Sequence, residues 1–151
     1  MSAQIIHHEH FNKNEVGTEL PLVTPGDYDV SYLYHVTRNQ FGGTKLVMYF
    51  QIMDYGEFNG VVLERWYNVD GLIGKARRNG KFKPPFRGDF VSDYYSCFGA
   101  IDRLDQIPMS KFKGKTFRAK VRTVKRNSKQ RDYPKGLQYS VIDTLKGVRD
   151  L

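Results

Sequence analysis

Cysteine is all but missing from this chain: Cys97 stands alone in 151 residues, which excludes an intramolecular disulfide framework and any multi-cysteine zinc site. A reducing, cytoplasmic setting is the expectation. Long apolar runs are missing too. None approaches the roughly 20 residues that cross a bilayer, and the N-terminus lacks the basic-then-apolar pattern of a secretion signal, so no membrane partner is expected. Histidine is scarce, with three of the four in His7-His8-Glu9-His10. Neighbouring histidines on a polar, irregular stretch lack the fixed geometry of a metal site, and adding His35 does not supply it. There is no phosphate-cradling P-loop, and Asp54, Glu57, Glu64 and Asp70 do not follow the spacing of a metal-dependent nuclease. Cys97 falls on an apolar helical face, where a thiol behaves as a small hydrophobe. Neither an enzyme nor a cofactor is expected.

What the chain has in excess is positive charge and aromatic rings. Lys and Arg number 24 against 16 Asp and Glu, a net +8, and ten Tyr, ten Phe and one Trp make up 14% of the residues. A chain of this length holds one domain with a real core. The ring content exceeds what a small core normally uses, so some rings are expected at the surface, where rings beside cations suit bases stacked beside phosphates. Charge alone sets only the sign of a partner, because a long-range field does not distinguish RNA, DNA, an acidic membrane or an acidic protein. Its arrangement says more. In T-F-R-A-K-V-R-T-V-K-R, residues 116–126, period two puts Phe117, Ala119 and Val121 on one face and Arg118, Lys120 and Arg122 on the other. These cations are spaced roughly 6.5 to 7 Å apart, close to the phosphates along one nucleic-acid strand.

Residues 1–22 read as a flexible arm and 23–151 as a single domain. After Pro25-Gly26, residues 27–38 alternate, with Tyr28, Val30, Tyr32, Tyr34 and Val36 on one face. Behind the hairpin loop 39–43, residues 44–54 form a second strand: Lys45, Val47, Tyr49 and Gln51 share one face, and Leu46, Met48, Phe50 and Ile52 the more apolar one. Tyr49 is thus the stacking candidate and Phe50 the core candidate. In a third strand, 61–69, Trp66 shares the more polar face with Val62, Glu64 and Asn68, opposite Arg65 and Tyr67. Residues 70–88 mix Gly, Pro and cations, with Lys75, Arg77, Arg78, Lys81, Lys83 and Arg87 around Phe82 and Phe86, and read as an electrostatic clamp. Residues 89–104 repeat Phe90, Tyr94, Cys97, Phe98 and Ile101 at helical steps, with Gly99 against the pattern. The basic strand follows, then a loop from Arg126 to Gly136, and a fifth strand, 137–144, with Leu137, Tyr139 and Val141 turned inward.

Three meandering strands, a connection holding one helix, and two more strands make up the element order of an OB-fold. The expected class is therefore mostly β: a five-stranded, partly open OB-fold-like barrel with the helix between strands three and four. Such barrels bind oligonucleotides or oligosaccharides across strands two and three, flanked by the loops between strands one and two and between strands four and five. Here those loops offer Phe41 on one side and Arg126, Lys129, Arg131, Tyr133 and Lys135 on the other. The expected contacts are bases stacked on Phe41, Tyr49, Trp66 and Tyr133, and phosphates held by Lys45, Arg65, Arg118, Lys120, Arg122 and the loop cations. Arg77, Arg78 and Lys81 would clamp the strand. A single bulge would invert a face and turn Arg65 inward.

The segments P-G-D-Y-D-V at 25–30, G-G-T-K-L-V-M-Y-F-Q-I at 42–52, F-N-G-V-V-L-E-R-W at 58–66 and F-K-G-K-T-F-R-A-K-V at 112–121 carry a family resemblance. Over roughly residues 22–145 the chain resembles the single-stranded-DNA-binding OB-fold proteins of phages and mobile genetic elements. The resemblance implies single-stranded DNA as partner, in replication, recombination or transfer of a phage or plasmid. RNA is the alternative nucleic acid, since no residue here identifies a contact to a 2′-hydroxyl. The alternative outside nucleic acids is a protein-binding inhibitor of a host nucleic-acid enzyme. Single-strand binders often multiply their grooves by oligomerising, which makes a homo-oligomer the expected assembly.

Overall fold

The β-branched and aromatic runs become strands, because such side chains suit a pleated, half-buried surface. In a computed structural model, which describes residues 20–125 and 137–149, they are β1 (Gly26–Gln40), β2 (Gly43–Ile52), β3 (Val62–Val69), β4 (Gly71–Ile73), β5 (Lys81–Lys83), β6 (Thr116–Val124) and β7 (Tyr139–Val148). One helix, α1 (Asp89–Phe98), and a 3-10 turn at Met109–Phe112 accompany them. The protein is mostly β. Five strands form one antiparallel sheet in the order β3-β2-β1-β6-β7, while β4 and β5 pair as a separate ribbon within the Gly- and Pro-rich stretch. The expected barrel is not closed: β7 lies beside β3, yet no ladder joins them among the described residues. No described helix is long and apolar enough to cross a membrane. The His7–His10 cluster and most of the N-terminal arm lie outside the described residues, as does the loop from Arg126 to Gly136.

β1 departs from the simple alternation of its sequence. Tyr32 opposes Phe50 and Tyr34 opposes Tyr49, so Leu33 is one extra residue, a β-bulge. Before it, Val30 and Tyr32 point into the core; after it, the even-numbered Tyr34, Val36 and Arg38 point to the other face, and His35 and Thr37 are the buried ones. The face read as Tyr28 through Val36 is therefore two faces. β7 differs in a similar way. It runs on to Val148 through two register shifts against β6, and its core residues are Ile142 and Leu145, not Leu137 and Tyr139. The helix stops at Phe98 rather than Leu104. Gly99 takes a left-handed φ of 87°, and its N–H donates to the Tyr95 carbonyl at 3.0 Å, which closes the last turn.

Most of the rings are consumed by the core. Phe50, Phe112 and Phe117 meet Tyr32, Tyr94 and Phe98 edge-on or tilted at 5.0 to 6.0 Å, and Phe90 joins Tyr67 and Phe82 in the same way. This geometry sets the positive edge of one ring against the negative face of the next. α1 is fixed to the sheet by a buried polar knot. Arg65 Nε donates to Asp93 Oδ2 at 3.0 Å and Tyr67 Oη to the same oxygen at 2.7 Å, with the Arg65 guanidinium 4.3 Å from the Tyr67 ring centroid. Burial raises the pKa of Asp93 above the usual carboxylate value, opposed by the Arg65 charge and the hydrogen bonds it accepts. Because both partners are out of water, losing one strands the other. Asp93→Ala is expected to lower unfolding free energy by about 3 to 5 kcal/mol, read from the urea midpoint. A loss below about 1 kcal/mol would mean that water already reaches Arg65.

Candidate nucleic-acid interface

On the sheet face opposite the core, the registers of β1, β2 and β3 lay side chains out as a grid. Tyr34, Tyr49 and Glu64 make one row, Val36, Val47 and Trp66 the next, and Arg38, Lys45 and Asn68 the third. Tyr34, Tyr49, Glu64, Val36 and Trp66 of the first two rows, with Arg38 of the third, floor a groove of about 1460 Å³, whose far side is built by Arg122 and Val124 of β6 and Tyr139 and Val141 of β7. Leu20, just ahead of β1, also lines it. Its neighbour Pro21 is buried and accepts the Ser140 N–H at 2.9 Å, which ties the end of the arm to β7.

Rings and guanidinium groups alternate along the floor. Tyr34 stacks on Tyr49 at 4.7 Å and 26°, and Arg78 lies 4.0 Å over the Tyr34 ring. Arg38 donates from Nη2 to Tyr49 Oη at 3.1 Å and reaches to 6.0 Å over Trp66. The Nε of Arg38 is buried with no hydrogen-bond partner among the described residues, a cost of about 1 to 3 kcal/mol that the fold carries at this point. Trp66 is half-buried; its indole N–H donates to Glu64 Oε1 at 3.1 Å, and Phe41, 76% exposed, stands 6.1 Å away at the tip of the β1–β2 turn. Phe41 adopts a left-handed φ of 55° ahead of Gly42 and Gly43, which projects the ring from the sheet end.

Arg78 reaches the groove because the segment 77–80 is stapled to β1. Thr37 N donates to the Arg77 carbonyl at 2.9 Å, Arg77 N to Thr37 Oγ1 at 3.0 Å, and Asn79 N to the His35 carbonyl at 2.7 Å. The His35 ring, 4% exposed, is satisfied at both nitrogens: Nε2–H donates to the Gly80 carbonyl at 2.7 Å and Nδ1 accepts from Tyr32 Oη at 2.8 Å. Neither nitrogen is left for a metal. A Cβ on Gly80 would stand 2.3 Å from Thr37 Oγ1, so this close approach requires glycine.

Of the residues expected at the site, Phe41, Tyr49, Arg65, Trp66, Arg78 and Arg122 come together around the groove. The roles of two of these change. Tyr49 is fully buried beneath Tyr34, so the ring nearer the groove in that row is Tyr34. Arg65 points to the core and is held by Asp93, because β3 keeps its alternation and Trp66 takes the opposite face. Lys45 continues the grid beyond the groove and donates to Asn68 Oδ1. Arg118 and Lys120 lie further along β6, with Arg118 at 3.1 Å from Asp29 and Lys120 opposed in register by Asp27. Arg77 and Lys81 stay exposed on the stapled segment. Arg126, Lys129, Arg131, Tyr133 and Lys135 lie outside the described residues. Two groove residues, Tyr34 and Arg38, escaped the strand reading. The signals were Leu33, apolar at an outward position, and Arg38, charged at an inward one. Cys97 packs against the core, and burial pushes its thiol up to about 12.

Models of known protein families, curated proteins and solved structures contain no match to this chain.

Burial lowers the pKa of His35 below its usual 6.5, opposed by the hydrogen bond to Gly80. The unfolded chain then takes up a proton near 6.5 that the folded chain refuses, so the contribution to stability is intact above that value and declines as pH falls through it. Melting temperatures measured from about pH 7.5 down to about pH 5.5 are expected to fall, and His35→Gln to flatten the fall. An equal pH dependence in both proteins would assign it to other groups.

Proposed function

We propose that this protein binds single-stranded DNA without catalysis, in the groove floored by Tyr34, Tyr49 and Trp66. The observation that carries the reading is the alternation of rings and guanidinium groups: Arg78 on Tyr34 on Tyr49, and Arg38 between Tyr49 and Trp66. Bases offer a π-face to any exposed ring, and stacking of this kind tolerates every sequence. Cations within reach of the same rings meet the phosphates that accompany those bases. The buried Nε of Arg38, without a partner among the described residues, also fits a binding site, because polar groups left without partners are rare where only packing is at stake. The meander of β1, β2 and β3, with β7 drawn up beside β3, supports an OB-type barrel left partly open, whose usual ligand surface is this part of the sheet. The cellular role that accords with the resemblance of its strand segments is replication, recombination or transfer of a mobile genetic element.

The experiment is a titration that follows the fluorescence of Trp66, the only tryptophan. Mixed-sequence single-stranded DNA is expected to quench it, with an affinity that drops steeply as salt is raised and with much weaker binding of duplex. Trp66→Ala is expected to weaken binding, measured by fluorescence anisotropy of a labelled oligonucleotide, by about 1 to 3 kcal/mol. Tighter binding of single-stranded RNA would transfer the reading to RNA. No binding of any nucleic acid would reject it in favour of a protein partner.

A further inference from the structure

The positive charge of this protein is unevenly compensated. Along the sheet, carboxylates stand beside most of the cations: Arg118 pairs with Asp29 at 3.1 Å, Arg122 with Asp143 at 2.9 Å, and Lys146 with Asp27 at 2.8 Å, while Lys120 faces Asp27 across the register and makes no ion pair of its own among the described residues. Between Gly71 and Gly88 the sequence holds no carboxylate at all. Lys75, Arg77, Arg78, Lys81, Lys83 and Arg87 are all exposed there, and none makes an ion pair among the described residues, although Lys83 lies close enough to Asp105 to feel its charge.

This strap is also held in place. β4 and β5 pair Gly71 with Lys83 and Ile73 with Lys81. Phe82 between the two lysines is 3% exposed and packs edge-on against Phe90 at 5.2 Å and His35 at 5.8 Å, so Lys81 and Lys83 are turned to solvent. At Arg77–Gly80 the strap is bonded to β1 through Thr37 and His35, and there Arg78 enters the groove over Tyr34. One end of a fixed cationic track thus opens on the ring-lined floor.

We propose that the strap, and not the basic strand β6, is the rail on which the phosphate backbone of a bound single strand runs. This rests on the groove reading above. A phosphate that binds an unpaired cation releases the counterions condensed on the nucleic acid, and this release gives binding its salt dependence. A phosphate that binds Arg118 must first displace Asp29, and the freed carboxylate gathers cations again. The gain there is small. The salt dependence of affinity therefore originates on the strap.

Two variants that each lose two positive charges test this: Arg77→Gln with Lys81→Gln on the strap, and Arg118→Gln with Lys120→Gln on β6. Neither pair lies among the groove-lining side chains, and urea unfolding of both verifies that they fold. Affinity for a mixed-sequence single-stranded DNA oligonucleotide is measured over a series of salt concentrations. The strap variant is expected to weaken binding about tenfold or more at low salt and to reduce the slope of log affinity against log salt by about 1.4, at about 0.7 per lost phosphate contact. The β6 variant is expected to keep the wild-type slope. Equal slopes in the two variants would show a general field effect, and a larger change in the β6 variant would restore the basic strand as the rail; either result overturns the proposal. Absence of binding by the wild-type protein would remove the groove reading and the rail together, whereas wild-type binding with Trp66→Ala impaired and the strap slope unchanged would remove the rail alone.

Discussion

The extra residue at Leu33 is the constraint on which the rest of the sheet depends. A strand alternates strictly, so one inserted residue exchanges the faces of everything after it. Up to Tyr32, β1 supplies the core; from Tyr34 it supplies the groove, while β2 beside it keeps a single alternation throughout. Without the bulge Tyr34 and Arg38 would be driven among Leu46, Met48 and Phe50, and His35 would face away from Gly80. The bulge therefore decides three things at once: the ring over Tyr49, the guanidinium beside Trp66, and the buried histidine that holds the strap.

Rigidity of the groove floor follows from what lies beneath it. Trp66 sits between Arg65 and Tyr67, and both of those side chains end on one carboxylate oxygen of Asp93 in α1. The residues flanking the tryptophan are thus tied to the helix across the core, and the indole is held edge-on by Glu64. A ring fixed in this way loses little freedom when something stacks on it. The same economy holds for Arg78, whose backbone is secured by Thr37 and His35 before its side chain meets Tyr34.

Electrostatics divide the surface differently from the sequence. Arg118, Lys120 and Arg122 form a regular cationic row when read alone, but antiparallel pairing sets Asp27 and Asp29 of β1 and Asp143 of β7 beside them. The row becomes a mixed-charge lattice. Exposed pairs of this kind add little stability, yet they decide where an outside anion finds cations without competition. The chain comes nearest to that condition between Gly71 and Gly88, a stretch with no acidic residue from end to end, where Asp105 reaches only Lys83.

Period two, turn residues and one helical repeat were enough to determine a mostly β chain with its main strands and the start of α1, because these patterns are local and each carries its own hydrophobic face. The positions of Trp66 and Phe41 were legible for the same reason: β3 has no bulge, and Gly42-Gly43 marks the turn. The β4–β5 ribbon was not legible, since its strands are three residues each and owe their pairing to Phe82 being buried against Phe90 and His35. The end of α1 could be read only as a conflict between Gly99 and the apolar repeat. Tertiary structure decided what depends on contacts distant in sequence: the bulge, which the pairing of β1 with β2 places at Leu33; the inward turn of Arg65, held by Asp93 from 28 positions away; and the partly compensated row on β6, where Arg118 meets a carboxylate 89 residues earlier. A sequence states which charges a strand carries, but only the fold states which opposite charges stand next to them.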